Sequence, residues 1–213
     1  MDGTEVPIAF ESVYHATFNQ YIFNVKLDGT HRALAKMIYR HYGDEVHRFL
    51  AEKGLAPELI GTCALEGRPM VYVMEKLSDS WVTLDDWGGC VESGDPSTVR
   101  EQVRKQLMEI VSLLEKNGYV HGDLRAPNIM IALDTDDDLE DKQDHFKLNV
   151  IDFDWAGEAG KTRYPIERND NIEDWPDGSK QGYPIARGHD RTLVENWWGK
   201  LIANRSSFSE FLE

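Results

Sequence analysis

The sequence predicts an α+β protein in which a strand-rich first third is followed by a part that holds the longest helix. Aromatic and β-branched residues concentrate before residue 76, and one long amphipathic stretch with helical spacing occupies residues 98–117. The first composition is typical of strands, and the second pattern is typical of a helix that packs on a core. At 213 residues the chain is long enough to bury such a core.

Three strands are predicted near the N-terminus, at 8–18, 21–27 and 32–39. The first two are rich in aromatic and β-branched residues, which sheets prefer. Asp28-Gly29 separates the second from the third, and this pair is typical of a tight hairpin turn because both residue types tolerate positive φ. We therefore expect the third strand to return beside the second.

A helix is predicted from Asp44 to Lys53, where apolar residues recur at helical spacing. Asp44 is placed to cap its N-terminus, and Gly54 is placed to end it. A further strand is predicted at 69–75, where apolar and aromatic residues return.

The second part begins with a loop at 90–96 and continues with the long helix, which Ser97 or Thr98 would cap and Gly118 would end. Five apolar residues share one face of this helix: Val103, Leu107, Ile110, Val111 and Leu114. Two more strands are predicted at 129–133 and 146–151, on either side of an acidic run.

The net charge of −15 argues against nucleic acid or an anionic membrane surface as a partner, because phosphates would be repelled. Much of the acidic charge lies in residues 134–144, which we interpret as a solvated loop. No apolar stretch is long enough to span a bilayer, and the N-terminus has no signal-peptide pattern. We expect a cytoplasmic protein, with the nucleus as an alternative.

Two short motifs carry most of the functional information. They are His121-Gly-Asp-Leu-Arg-Ala-Pro-Asn128 and Val150-Ile-Asp-Phe-Asp-Trp155. Together they place an aspartate, an asparagine and a second aspartate in order, each beside a hydrophobic stretch. Transfer of a phosphoryl group from ATP needs such a set: one carboxylate near the attacking hydroxyl, and an amide and a carboxylate that hold magnesium against the phosphates.

These motifs resemble those of the protein-kinase-like superfamily, in which H-R-D-L-x-x-x-N is followed by D-F-G. In particular, the sequence resembles the small kinase-like proteins common in filamentous fungi. The resemblance implies a bilobal fold, with a mostly β-sheet N-lobe at 1–76 and a truncated helical C-lobe at 77–213. It also implies ATP and Mg²⁺ as cofactors, and a protein or small-molecule acceptor whose identity the sequence does not give.

By the same resemblance, Asp123 is the catalytic base that orients the acceptor hydroxyl and takes its proton late. Arg125 corresponds to the basic residue that steadies the γ-phosphate, a task suited to a side chain that stays charged and binds bidentately. Asn128 and Asp152 are the expected magnesium ligands, since this ion prefers hard oxygen atoms.

Lys36 ends the run Ala-Leu-Ala-Lys and resembles the strand lysine that contacts the α- and β-phosphates. Glu45 on the following helix is its expected acidic partner, with Glu52 as the alternative. The resemblance also implies a hinge that borders the nucleotide, formed by Glu75 and Leu77.

Two further residues are expected to support the first motif. Asp190, at the start of a helix, resembles the aspartate that braces the catalytic loop of kinases, and helix capping is a compatible role. His121 is expected to support the same loop through packing and a backbone hydrogen bond. Because one helix follows Asp190, the helical platform that binds protein substrates is expected to be mostly absent.

The sequence departs from the kinase pattern at three places. The glycine-rich loop is missing: the positions aligned with its glycines are Phe10–Ser12, whose side chains would crowd the approach of backbone to phosphate. Asp154 replaces the glycine of D-F-G and could restrict that segment or supply a second metal ligand. Gly122 replaces an arginine that reads a phosphorylated activation loop, so we do not expect phosphorylation of Thr162 to control activity.

Three functions remain open from the sequence. A phosphotransferase acting on protein serine or threonine is favoured by the family resemblance and Arg125, and a small-molecule kinase is favoured by His-Gly-Asp and the missing platform. A pseudokinase, which binds without turnover, is favoured by the missing glycine loop and Asp154. Catalysis is favoured by the joint presence of four residues that it needs: Lys36, Asp123, Asn128 and Asp152.

Overall fold

A computed structural model of the protein describes residues 5–17, 20–65, 69–87, 96–133 and 146–209. The first 75 residues contribute the main sheet and one helix. The later described residues contribute two small sheets and three helices. No helix in these ranges is long and apolar enough to cross a membrane.

The main sheet has five antiparallel strands in the spatial order β1-β2-β3-β5-β4. Its strands are β1 (Ile8–Thr17), β2 (Gln20–Leu27), β3 (His31–Ile38), β4 (Leu59–Ala64) and β5 (Met70–Glu75). The hairpin turn forms at Asp28-Gly29 as predicted, with φ of 47° and 71°. The four predicted strands of this region are confirmed at nearly the same bounds, and β4 is a fifth strand to which the sequence pattern assigned no residues.

Alternation along β3 decides which of its side chains face the rest of the protein. Ala33 and Ala35 face a small apolar cluster on one side of the sheet. Lys36 and Ile38 point to the opposite side, since successive side chains of a strand alternate. Tyr72 of β5 lies opposite Lys36 in the register, and Ile38 and Tyr72 both belong to the main core. The pleat therefore directs one lysine towards an otherwise apolar region.

Helix α1 (Asp44–Ala51) is attached to the second part of the chain through its first turn. Its N-cap is Gly43, whose N–H donates to the carbonyl of Phe153 (2.9 Å), so the prediction that Asp44 caps this helix is wrong. Asp44 lies inside the first turn, where its negative charge still interacts favourably with the helix dipole. Gly54 follows the helix in a left-handed conformation (φ 68°), as expected for a residue that ends it.

His47 fixes the inner face of α1. It is 1% exposed and its ring stacks on that of Phe153, with 4.4 Å between ring centroids. Its Nδ1 accepts a hydrogen bond from the Tyr42 hydroxyl (2.7 Å), and its Nε2 donates to the Pro57 carbonyl (2.8 Å). One accepting and one donating nitrogen require a neutral imidazole. Burial lowers the pKa of His47 to about 4, which keeps the ring neutral at pH 7.

The second part of the chain contains two long helices. Helix α2 (Leu84–Trp87) is short and precedes α3 (Pro96–Lys116), the predicted long helix, whose apolar face is buried as expected. Because α3 begins at Pro96, Ser97 and Thr98 lie inside its first turn and the cap predicted for them is wrong. Helix α4 (His189–Ser209) begins beside Asp190.

The strands of this part bring the ends of the two motifs together. Strands β6 (Val82–Thr83), β8 (Ile129–Leu133) and β9 (Phe146–Val150) form one sheet, and β7 (Tyr119–Val120) pairs with β10 (Gly157–Glu158). Strands β8 and β9 confirm the two predicted there. The Ile151 N–H donates to the carbonyl of Asn128 (2.9 Å). The first motif ends where β8 begins and the second starts where β9 ends, so both lie at the same end of the β8–β9 pair.

The position predicted for the degenerate glycine loop is wrong. Phe10 and Ser12 lie inside β1, where they pair with Val25 and Asn24 of β2. Their side chains therefore do not form the tip of the β1–β2 hairpin. The acidic run at 134–144 and most of the loop predicted at 90–96 lie outside the described residues.

One apolar core spans both parts of the chain. It includes residues of β3, α1, β5, α3, β8, β9 and α4. Between β10 and α4 the described chain is irregular, with one isolated bridge between Arg163 and Pro184. The division into lobes at residue 76 stays a prediction.

His47 should make the stability of the protein depend on pH. Its folded-state pKa of about 4 lies below the ordinary value of 6.5, so the unfolded chain binds a proton more readily and stability falls as pH drops from about 6.5 towards 4. Between pH 7 and pH 5 we expect wild type to lose about 2 kcal/mol more than His47→Gln. Urea denaturation at both pH values measures this difference. An equal loss in both proteins would show that His47 is protonated in the folded state.

Candidate functional site

A buried carboxylate at the start of helix α4 holds the backbone of the first motif in place. Asp190 is 2% exposed and accepts hydrogen bonds from the backbone N–H groups of His121 (2.6 Å) and Gly122 (2.8 Å). Burial raises the pKa of Asp190, while the two N–H donors favour its charged form. The bracing role expected of Asp190 is confirmed by these contacts.

Gly122 is required by both conformation and space. Its φ is 81°, in the left-handed region that favours glycine. A Cβ at this position would lie 2.7 Å from Cδ1 of Ile185 and 3.1 Å from the carbonyl oxygen of Trp155. The arginine of the kinase pattern therefore does not fit this backbone.

His121 connects the two motifs. Its Nε2 donates to the carbonyl of Ile151 (3.1 Å), and its Nδ1 accepts from the backbone N–H of Asp123 (3.3 Å). The ring is fully buried and packs edge-on against Phe153, and burial lowers the pKa of His121. The supporting role predicted for this residue is confirmed.

Asp123 lies at the centre of a hydrogen-bonded group. Its carboxylate is 9% exposed and accepts from Nε and Nη2 of Arg125, the latter at 2.9 Å. The Nδ2 of Asn128 donates to the same carboxylate and to the backbone carbonyl of Asp123, both at 2.9 Å. Burial raises the pKa of Asp123, although Arg125 acts in the opposite direction. The structure thus brings together three of the predicted site residues.

Lys36 is buried against the second motif. Its side chain is 4% exposed, and its Nζ donates to Oδ1 of Asp152 and to Oδ1 of Asp154, the latter at 2.5 Å. Burial alone would lower the pKa of Lys36, but the two carboxylates outweigh it and raise the pKa. Burial also raises the pKa of Asp154 to about 6, against the opposing effect of Lys36.

The backbone of Asp152 is in a conformation that non-glycine residues rarely adopt. Its φ is 66° and its ψ is 69°. Such a residue persists only where its surroundings hold it, at a cost on the order of 1–3 kcal/mol. Here the ion pair with Lys36 and the burial of the next residue, Phe153, hold the segment.

The predicted pairing of Glu45 with Lys36 is wrong. Glu45 is exposed, and its Oε1 accepts a hydrogen bond from the hydroxyl of Tyr119 (2.9 Å). The inner face of α1 is formed by Val46, His47 and Leu50, so Glu45 is turned towards solvent. The alternative, Glu52, is also exposed beyond the end of the helix.

The predicted hinge residues follow the sheet as expected, although their contact with nucleotide stays a prediction. Glu75 ends β5, where its N–H donates to the Glu58 carbonyl (2.9 Å), and Leu77 lies two residues further on, half-buried. A cleft of about 1200 Å³ opens elsewhere, between residues 38–41 and the segment 154–167. It reaches Asp154 but not Glu75 or Leu77.

Sequence reasoning missed an aromatic and cationic group beside Arg125. The guanidinium of Arg125 lies 5.3 Å from the centre of the Trp175 ring, and that of Arg168 lies 4.8 Å from the same ring. Arg168 is buried and also contacts the Tyr164 ring at 5.0 Å. Cations favour the faces of such rings, so this group limits the movement of Arg125. No local sequence signal predicts these contacts, because they join distant residues of an irregular segment.

The donor atoms near the two motifs fit a magnesium ion that is shared with phosphates. Both hydrogen bonds of the Asn128 amide are made by Nδ2, which leaves Oδ1 as a possible ligand, and Asp152 supplies a carboxylate. Among the described residues, no group of three or more His, Cys, Asp or Glu side chains could hold a metal alone. Magnesium typically takes one or two protein ligands and completes its shell with water and phosphate oxygens, so the pair fits.

The sheet, the buried lysine and the two loops together define a protein-kinase-like fold. Two solved protein kinases match over 92% of this chain. The Cydia pomonella granulovirus kinase PK-1 matches with a TM-score of 0.67 and 14% identity, over 69% of its own length. Vaccinia related kinase 3 matches with a TM-score of 0.61 and 15% identity, over 65% of its length. No protein-family model and no curated protein sequence matches the chain.

The steric requirement at Gly122 can be separated from its backbone requirement. Gly160 has a similar φ, 79°, but a Cβ there would meet no atom within 4 Å. We expect Gly160→Ala to cost about 1 kcal/mol and Gly122→Ala about 3 kcal/mol of unfolding free energy, because only the second adds a clash to the backbone strain. Urea denaturation of both variants measures the two costs. Equal losses would mean that the space around Gly122 can open.

Proposed function

We propose that the protein is an ATP- and Mg²⁺-dependent phosphotransferase that acts on an alcohol group, with a protein serine or threonine as the acceptor. The observation that carries this proposal is the convergence of the two motifs. Asp123 and Asn128 share hydrogen bonds in the first loop, and His121 ties that loop to the second, whose Asp152 binds Lys36.

The charges around Lys36 favour binding of nucleotide together with a metal ion. When bound, ATP would supply the phosphoryl group and Mg²⁺ would neutralise charge on the phosphates. One ammonium and two carboxylates leave Lys36, Asp152 and Asp154 with excess negative charge, which disfavours a polyphosphate alone. An ammonium has three N–H donors, and these two ion pairs use two of them, so one remains for a phosphate oxygen.

Asp123 would receive the proton of the acceptor hydroxyl. Arg125 and Asn128 hold its carboxylate in a fixed orientation, and an ionised carboxylate has about four acceptor sites, so capacity remains for one more donor. Burial raises the pKa of Asp123, which makes the group a better proton acceptor than a solvated aspartate.

A protein acceptor is favoured by Arg125, which pairs with the Asp123 carboxylate, is partly exposed and keeps its charge. A small-molecule alcohol is the second candidate, because the described segment between β10 and α4 contains no helix that could form a peptide platform. Binding without turnover is favoured by a different observation: β1 and β2 contain no glycine, so phosphates cannot approach their backbone as closely.

Nucleotide binding should depend on magnesium and on Asp152. We expect wild type to bind ATP with Mg²⁺ and to bind it at least tenfold more weakly without the ion, because Asp152 and Asn128 contact the phosphates through it. Isothermal titration calorimetry measures both affinities. Asp152→Asn should remove the Mg²⁺ dependence, while Asp177→Asn, an exposed aspartate outside the site, should leave it unchanged. Absence of binding at millimolar ATP would overturn the proposed function.

Turnover should depend on Asp123. We expect Asp123→Asn to lower the rate of phosphoryl transfer by on the order of a hundredfold, with little change in ATP affinity, because Asp123 acts on the acceptor and not on the nucleotide. ADP release, followed with and without serine- and threonine-containing peptides, measures the rate. Stimulation by the peptides would support a protein acceptor. Full turnover of Asp123→Asn would contradict the role given to this residue.

A further inference from the structure

Asp154 stands where the kinase pattern has glycine, and it contacts the lysine that the pattern pairs with a helix acid. We propose that Asp154 is the positioning residue of Lys36 and takes the place of an acidic residue on α1. This inference rests on the proposed function, because Lys36 needs a positioning residue only if it acts on phosphates.

The surroundings of Lys36 require a permanent acidic partner. An ammonium on a side chain that is only 4% exposed is costly unless it is paired. Its two partners are Asp152 and Asp154, and Asp152 has a second task as the proposed metal ligand. If Asp152 held a metal ion, Asp154 would remain as the partner of the ammonium. The Nζ–Oδ1 distance of 2.5 Å places the Asp154 carboxylate in direct contact with the ammonium.

The N-cap position of α1, Gly43, has no room for an acidic side chain. The N–H of Gly43 donates to the Phe153 carbonyl (2.9 Å), and Nε2 of His41 donates to the Ala156 carbonyl (2.7 Å). A Cβ on Gly43 would lie 2.5 Å from the Ala156 carbonyl oxygen. The backbone that begins α1 is thus packed directly on the segment that carries Asp154.

Helix α1 itself offers no acid to Lys36 either. Its acidic residues, Asp44 and Glu45, are exposed, and its inner face is occupied by the apolar and aromatic contacts of His47. To bring Glu45 to Lys36, the helix would have to rotate and break the stacking of His47 on Phe153 and both hydrogen bonds of the imidazole. Asp154 makes such a rotation unnecessary.

A double-mutant cycle between Lys36 and Asp154 tests the inference. The four proteins are wild type, Lys36→Met, Asp154→Asn and the double variant, each measured for Mg²⁺-ATP affinity by calorimetry and for ADP release. If Asp154 acts through Lys36, each single variant loses about tenfold and the double variant loses no more than the stronger single one. Asp154→Glu should recover part of the loss, since it restores the carboxylate.

Two controls separate this role from others. Glu45→Gln removes the acid that the kinase pattern predicts, and it should stay within twofold of wild type. The Mg²⁺ concentration that gives half-maximal ADP release should be unchanged in Asp154→Asn, because a positioning residue does not bind the ion. Should Asp154→Asn not fold, as urea denaturation would show, Asp154→Gly replaces it, since it removes the carboxylate and places the kinase-pattern residue there.

Each other outcome overturns the inference. Additive losses, or a raised Mg²⁺ requirement in Asp154→Asn, would mean that Asp154 acts independently of Lys36. Full function of Asp154→Asn together with loss in Glu45→Gln would mean that α1 rotates to supply the acid. Either result leaves the proposed function intact. Wild type that neither binds Mg²⁺-ATP nor releases ADP would remove both the proposed function and this inference.

Discussion

The burial of one ammonium group constrains the rest of this structure. Lys36 is placed by the alternation of β3 on the side of the sheet that faces the core, where an unpaired charge would be highly unfavourable. Asp152 and Asp154 neutralise it, and both belong to the segment that follows β9. The ion pairs therefore link the sheet to the second part of the chain at the point where the two motifs meet.

The loop at 121–128 also depends on a buried charged group, which in this case is negative. Here a buried carboxylate, Asp190, accepts two backbone N–H groups that the sharp bend of the loop leaves without partners. Trp197 on the same helix donates its indole N–H to the carbonyl of Leu124 (2.9 Å). Helix α4 thus provides hydrogen-bond partners for both N–H and C=O groups of the loop. These bonds hold Asp123 and Asn128 in place beside the second motif.

The elements that the sequence predicted well are those whose signal is local. Strands β1 to β3, β5, β8 and β9 and helix α3 follow from composition and spacing, and the residues of the two motifs follow from their order along the chain. Strand β4 was not predicted, because its sequence, Leu-Ile-Gly-Thr-Cys-Ala, shows no clear alternation and contains a glycine.

The predictions that were wrong concern side chains whose contacts depend on how one element is rotated against another. Spacing placed Glu45 on the right helix, but it could not give the rotation that turns His47 inwards and Glu45 outwards. The sequence marks Asp154 only as a departure from the kinase pattern, because its contact with Lys36 joins residues that are 118 positions apart along the chain. The need for glycine at position 122 arises from Ile185 and Trp155, which are distant in the sequence and leave no space for a side chain there.

The position of Phe153 has a consequence for how readily its segment can move. Its ring is 1% exposed and lies among Tyr42, His47 and His121, while the residues on either side of it bind Lys36. Moving this ring into solvent would therefore expose apolar surface and break two ion pairs at once.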